Sequence, residues 1–298
     1  MLYKQYTLLF YWRRLRSIEL SRTIYTLFYE QVTPMHLLWI IALIVIPLFI
    51  SGAVLLTYYK QDFRVLDTVW PLTFVLLSGS LFVIVLFTQD DTVTAQHFTA
   101  NFLILWGIRQ TVYIHKRKKR FLLSTRNSSS SQSFSISFIH TIFKESMIIL
   151  ALSAMVIIVM AYPSITSSLY STLGVFIGST IVVIGFIGEI VSDQQLRNFK
   201  YRLEMEGRII KTGLWRYTRH PNYFAETLMW WGLFIIVFTN TAYYYNILAL
   251  ISPLFMTWYS RFSQRIKNNE THLKDNKEYQ AYKKRTSVFL PWFHHKTK

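Results

Sequence analysis

The residues best equipped for chemistry stand in one run, Gly213-Leu-Trp-Arg-Tyr-Thr-Arg-His-Pro-Asn-Tyr-Phe-Ala-Glu226, a dense polar cluster between two strongly apolar stretches. Arg216, Arg219 and His220 supply donors that can gather an anionic ligand. Pro221 suits the first turn of a helix, whose free N–H groups point at the same anion. The stretch from Tyr223 to Phe238 is long and apolar enough to continue as a membrane helix. On that helix Asn222, Tyr223 and Glu226 share one face, because positions three and four apart are neighbours. A basic loop anchoring a membrane helix accounts for Arg216 and Arg219, but not for a glutamate one turn inside an apolar run.

Two other series carry ionisable groups out of apolar surroundings. Glu189, Asp193, Arg197 and Lys200 recur at i, i+4, i+8 and i+11 and draw one charged stripe along a helix. Pairing of Asp193 with Arg197 would make the outer part of that stripe an ordinary surface face. Glu189 lies deeper, where an unpaired carboxylate costs at least ~2.5 kcal/mol, so it calls for a polar partner or a ligand. Arg109, Tyr113 and Arg117 form a second series at steps of four. Lys116, Lys118, Lys119 and Arg120 crowd the same end but cover all faces of the helix, as membrane-surface anchors do. Asp67 and Trp70 share a face at the start of another apolar run, where the aspartate would either cap the helix or contact substrate.

The elements that must position these groups are apolar spans. The chain is 52% hydrophobic and 17% aromatic, carries a net charge of +17 and has no cysteine. An all-α, polytopic membrane protein is expected, with about seven transmembrane helices. The spans are Met35 to Tyr59, Thr68 to Thr88, Gln96 to His115, Phe143 to Tyr162, Leu169 to Val191, Tyr223 to Phe238 and Ala242 to Ser260. The first starts too late and runs too long for the core of a cleavable signal. The chain accordingly divides into a basic N-terminal segment (1–34), N-terminal membrane helices on the lipid and substrate side (35–115), a basic, Ser-rich loop (116–142), a C-terminal membrane region holding most of the chemistry (143–293) and a tail (294–298).

Orientation follows from Lys and Arg. The segments Lys116 to Arg126, Arg197 to Arg219 and Arg261 to Lys298 fall on one side when the last five spans alternate, which makes that side and the C-terminus cytosolic. The same threading places Arg13, Arg14, Arg16 and Arg22 outside, against the rule, and the heavier charge of the later loops is taken to override it. The membrane is a bacterial inner membrane or the endoplasmic reticulum. Lipid headgroups and topology explain the basic excess, so nucleic acid is not expected as a partner. Lack of cysteine excludes disulfides, thiolate catalysis and Cys-based metal sites. His97, His115, His140, His272, His294 and His295 show no ligand spacing, so no metal is expected. Gly174 and Gly178 form a GxxxG, with Gly185 and Gly188 following, which predicts close helix packing. No dinucleotide-binding glycine fingerprint or P-loop occurs.

Taken together, the region from Gly188 to Pro291 resembles the C-terminal catalytic region of the steroid 5-alpha-reductase family, and within it the bacterial-type branch. Three blocks carry the resemblance: Gly188-Glu-Ile-Val-Ser-Asp-Gln-Gln-Leu-Arg-Asn-Phe-Lys200, the Gly213 to Glu226 cluster with Trp230-Trp-Gly232, and Glu278-Tyr-Gln-Ala-Tyr-Lys-Lys-Arg-Thr-Ser-Val-Phe-Leu-Pro291. Leu105-Trp-Gly-Ile-Arg109 and the Asp67 to Trp70 signature are similar to shorter blocks of the same branch. Ala225 stands where the family usually has glycine, and the basic, Ser-rich stretch after Arg117 replaces a pattern of Gly-Glu-Asp and Arg-Tyr.

The resemblance implies an NADPH-dependent oxidoreductase that holds its cofactor in a cavity on the cytosolic side and reduces a carbon–carbon double bond in a lipid, steroid-like or enoyl substrate. It places Arg109, Arg117, Glu189, Asp193, Lys200, Arg216, Arg219, His220, Asn222 and Glu226 around the cofactor, with Tyr223 and Asp67 as candidate catalytic donors. Carboxylates and Asn suit ribose hydroxyls and a carboxamide, whereas Arg and Lys suit phosphates. Membrane methyltransferases of the isoprenylcysteine or phospholipid type share a related Arg-His-Pro motif and bind S-adenosylmethionine, which is the alternative reading.

Overall fold

The computed structural model describes residues 65–88, 94–124, 136–161, 168–200, 208–241, 243–262 and 273–292, with isolated positions between 40 and 59 and residues 266, 270 and 271. Most of the expected first span, the basic N-terminal segment, most of the Ser-rich loop and the tail fall outside the described residues. Among the described residues all regular structure is helical, apart from an isolated parallel bridge between Thr218 and Ser287. The helices are α1 (Val65–Thr88), α2 (Thr94–Ser124), α3 (Ile136–Ala161), α4 (Leu169–Lys200), a 3-10 turn (Gly213–Arg216), α5 (Pro221–Asn240), α6 (Tyr243–Ala249), α7 (Ile251–Phe262) and α8 (Lys277–Arg285).

Five expected spans coincide with α1 to α5, and α2 and α4 continue past the apolar stretch into their charged series. The stretch from Ala242 to Ser260 is a correction, since it divides into α6 and α7 at Leu250. Pro253 explains the break: it has no N–H to bond the carbonyl four residues earlier, and its ring crowds that turn. Among the described residues two helices are long and apolar enough to cross a bilayer, over Thr68–Leu86 (mean hydropathy 2.3) and Leu169–Lys200 (2.1).

The most extensive helix pairing joins α4 to α5, followed by α1 with α2. Small residues bring α4 and α5 together, as the GxxxG series predicts: a Cβ on Gly178 would stand 2.6 Å from the Gly232 carbonyl oxygen, and one on Gly232 would stand 2.8 Å from that of Gly178. α3 runs through the middle, with Leu152 and the turns from Met155 to Met160 buried on every side, the pattern of a helix surrounded by others. Under the site, Trp70 and Phe74 of α1, Trp106 of α2 and Trp230 of α5 meet edge to face at ring separations of 5.4 to 6.5 Å. Such contacts add about 0.5–1.5 kcal/mol each beyond the area they bury, and they fix α2 and α5 relative to one another just below the charged groups.

Candidate functional site

Arg109, on α2, reaches across to α4 and engages both of its deep carboxylates. One guanidinium nitrogen lies 2.8 Å from Glu189 Oε1 and the other 2.7 Å from Asp193 Oδ2. Gln110 donates to the same Glu189 oxygen at 2.5 Å, and Trp106 Nε1 donates to the other at 3.2 Å. Glu189 and Asp193 are almost fully buried, so these four contacts meet the cost of removing the carboxylates from water. Tyr113, one turn further along α2, lies under the Arg109 guanidinium with its ring centre 5.3 Å away. Glu226 is buried on α5 and close enough to interact electrostatically with Glu189. Asp193 therefore faces Arg109 and not Arg197, and the two charged series meet each other.

At the head of α5 the chain builds a second centre. The helix starts at Pro221, as the sequence predicts, and His220 is its N-cap. Arg219 Nη1 lies 2.7 Å from each oxygen of Glu270 and 3.3 Å from the Tyr279 hydroxyl, while His220 Nε2 lies 3.0 Å from Glu270 Oε1. Burial pushes the Glu270 carboxyl up, but the hydrogen bond from His220, the Arg219 charge and the bond to Tyr279 outweigh it and hold the group at about 2. Burial likewise raises the Tyr279 hydroxyl to about 12 and pushes up that of Tyr282. The anion that Arg219 and His220 were expected to gather is thus supplied, in this structure, by the chain itself.

Short backbone ties place this centre. Gly213 adopts a φ of +62°, a conformation that favours glycine, and a Cβ there would collide with the Gln195 side chain. Gln195 in turn accepts from Leu214 N at 3.0 Å, and Trp215 Nε1 donates to the Ser192 carbonyl at 3.2 Å, so the 3-10 turn is fastened to the outer half of α4. The Tyr282 hydroxyl donates to the Trp215 carbonyl at 2.5 Å, Arg219 N to Ser287 O at 2.9 Å, and Trp292 N to Tyr217 O at 3.0 Å, which lays α8 and the following chain against the turn. Three buried polar atoms beside these ties lack hydrogen-bond partners among the described residues: Arg219 Nε, Asn222 Oδ1 and Thr286 Oγ1.

Of the expected residues, Arg109, Glu189, Asp193 and Glu226 gather at the deep cluster, and Arg219 and His220 gather at the head of α5. Asn222 and Tyr223 stand on the first turn of α5 between the two, half-buried, with the Tyr223 ring stacked on that of His220 at 5.3 Å. Lys200 is exposed at the last residue of α4. Arg216 is exposed and lines a cleft with Lys211, Glu278 and Arg285. Asp67 occupies the third residue of α1 and Arg117 continues α2 beyond Tyr113, but both side chains lie outside the described residues. Trp106, Gln110, Glu270, Tyr279 and Tyr282 join these centres without a role that the sequence alone assigns. Tyr279 and Tyr282 stand within the third block of the resemblance, and Trp106 and Gln110 flank Arg109; Glu270 carried no signal of its own.

No curated protein and no solved structure gives a match to the chain. The profile of one protein family matches residues 53–286, from before α1 to the end of α8, and so covers every element that builds the two centres. The chain belongs to that family, described as "Protein of unknown function (DUF1295)".

Proposed function

We propose that the protein is a membrane-embedded reductase that binds NADPH where α2, α4 and α5 converge and reduces a carbon–carbon double bond in a lipid, steroid-like or enoyl substrate. The observation that carries this reading is the joining of Arg109, Glu189, Asp193 and Glu226 from three helices into one buried polar centre. Polar groups sunk this deep in apolar helices are costly to keep without use. The resemblance of the Gly188 to Pro291 region to steroid 5-alpha-reductases supports the same assignment.

The donor set fits a nicotinamide nucleotide in a particular way. Two carboxylates engage one guanidinium in the deep centre and Glu226 lies near Glu189, an excess of acceptors suited to ribose hydroxyls and not to phosphates. Asn222 Oδ1 and Arg219 Nε, an acceptor and a donor without partners, suit a carboxamide or a further hydroxyl. The basic groups Arg117, Lys200 and Arg216 would serve the phosphate end, and Arg219 and His220 hold Glu270 in place. Bound there, the cofactor supplies the hydride. Tyr223, held against His220, and Asp67 would donate a hydrogen bond or proton to the substrate oxygen conjugated with the reducing bond. The reading carries with it a polytopic membrane setting, with these ends of the helices on the cytosolic side.

The same excess of carboxylate would also suit a sulfonium, so methyl transfer from S-adenosylmethionine stands as the second reading. Replacement tests the placement. Glu226→Gln and Asn222→Ala should each lower NADPH affinity of the detergent-purified protein while leaving its helix content and unfolding midpoint near those of the wild type. Unchanged affinity in both variants would reject the site.

A further inference from the structure

Within the apolar body of the protein, Ser78 on α1 and Thr99 on α2 each bury a hydroxyl completely, and neither has a hydrogen-bond partner among the described residues. A serine or threonine inside a helix commonly bonds a carbonyl of the preceding turn. Thr73, Ser80 and Thr111 of the same two helices do so, at 2.9, 3.1 and 2.8 Å. The packing of α1 on α2 sets the two unpartnered hydroxyls at one level. Phe82 meets His97 at 5.1 Å and Phe74 meets Trp106 at 6.1 Å, so the helices run antiparallel with Ser78 and Thr99 in matching turns. Ser78 lies midway between Phe74 and Phe82 on the stripe of α1 that touches α2, and Thr99 shares the stripe of Leu103 and Trp106. Two hydroxyls on facing stripes, bonded neither to their own helices nor to each other, carry the cost of leaving water with nothing to offset it.

We propose that Ser78 and Thr99 hold an uncharged oxygen, the hydroxyl or carbonyl of a membrane lipid, between α1 and α2. Each side chain both donates and accepts, which suits such an oxygen in either form. A charged headgroup does not suit the place, because Leu77, Leu81, Ala100 and Leu103 around the pair are apolar and almost fully buried. Gly79, beside Ser78, supplies the way in: it is half-buried, and a Cβ there would meet nothing within 4 Å. Water is the smaller occupant of the same chemistry, but buried waters typically make about three hydrogen bonds and this pair offers two groups. Thr99 stands about 10 Å along α2 from Trp106, at 1.5 Å per residue, with the aromatic layer between it and Arg109. The site is therefore separate from the nicotinamide assignment and does not rest on it.

The test uses the full chain in detergent micelles that carry equal mole fractions of hexadecan-1-ol or of hexadecane, with the bound probe read by native mass spectrometry. The site variant Ser78→Ala with Thr99→Val is compared with Ser80→Ala with Thr111→Val, which removes hydroxyls that are satisfied within their own helices. Wild type and the control pair should retain the alcohol over the alkane by about tenfold, and the site variant should bring the two within about twofold. Without probe, the site variant should unfold at or above the wild-type midpoint, since it removes two unpaired buried polar groups, so a lost preference cannot be put down to misfolding. Equal retention of alcohol and alkane by the wild type, as expected if the pair holds water alone, would overturn the proposal, and so would an undiminished preference in the site variant. Glu226→Gln should leave the preference intact, which separates this site from the cofactor reading.

Discussion

Arg109 pairs with both Glu189 and Asp193, so its loss would leave buried Glu189 with only the neutral donors Gln110 and Trp106 to offset its charge. We expect Arg109→Met to destabilise the protein by about 3–5 kcal/mol in chemical unfolding, and Arg109→Lys by less, since lysine restores the charge but not both contacts. At the other centre, the Glu270 carboxyl sits at about 2, below its ordinary value of 4.5. A depressed carboxyl stabilises the fold above its unfolded value and loses that contribution as pH falls from about 4.5 through about 2, up to about 3 kcal/mol in all. Glu270→Gln should therefore be less stable than wild type at neutral pH, and the difference should close over that acid window; a constant difference would refute the assignment. These two residues also mark how far a sequence reveals a site. Glu189 was legible because a carboxylate inside an apolar run is expensive wherever the chain folds. Glu270 was not, because it sits in a segment already rich in charge, and only the tertiary fold brings it to Arg219 and His220.

Helices were easier to read than their joints. The start of α5 at Pro221 follows from local chemistry, and the approach of α4 to α5 follows from glycines spaced by one turn, whereas the break at Leu250 turns on one proline, Pro253, inside a continuous apolar run. Contact between α2 and α4 left no trace in either segment alone, though complementary charge at matching steps of four pointed to it. The close crossing yields a paired prediction. Gly178→Ala would press a methyl group toward the Gly232 carbonyl and should cost about 1–3 kcal/mol, while Gly79→Ala, with open space around it on α1, should be neutral or gain up to about 1 kcal/mol. Thermal unfolding of both variants checks it, and equal effects would mean that α4 and α5 do not cross at these residues.

For the molecule as a whole, the outer face of α4 is the clearest guide to its surroundings. Phe176, Ile177, Ile184 and Ile187 are exposed along a helix whose opposite side packs on α5, and so wide an apolar strip in water would drive aggregation. Lipid is the solvent that suits it. The protein is accordingly expected to stay in the membrane fraction through an alkaline carbonate wash, and release into the supernatant would contradict that setting. We propose that α2, α4 and α5 carry their polar groups to a common place in order to hold a reduced nicotinamide nucleotide. Calorimetric titration of the purified wild-type protein with NADPH and, separately, with S-adenosylmethionine tests it most directly. A micromolar Kd for NADPH, roughly −8 kcal/mol, and far weaker binding of S-adenosylmethionine are expected. Absence of heat with NADPH, or tighter binding of S-adenosylmethionine, would contradict it.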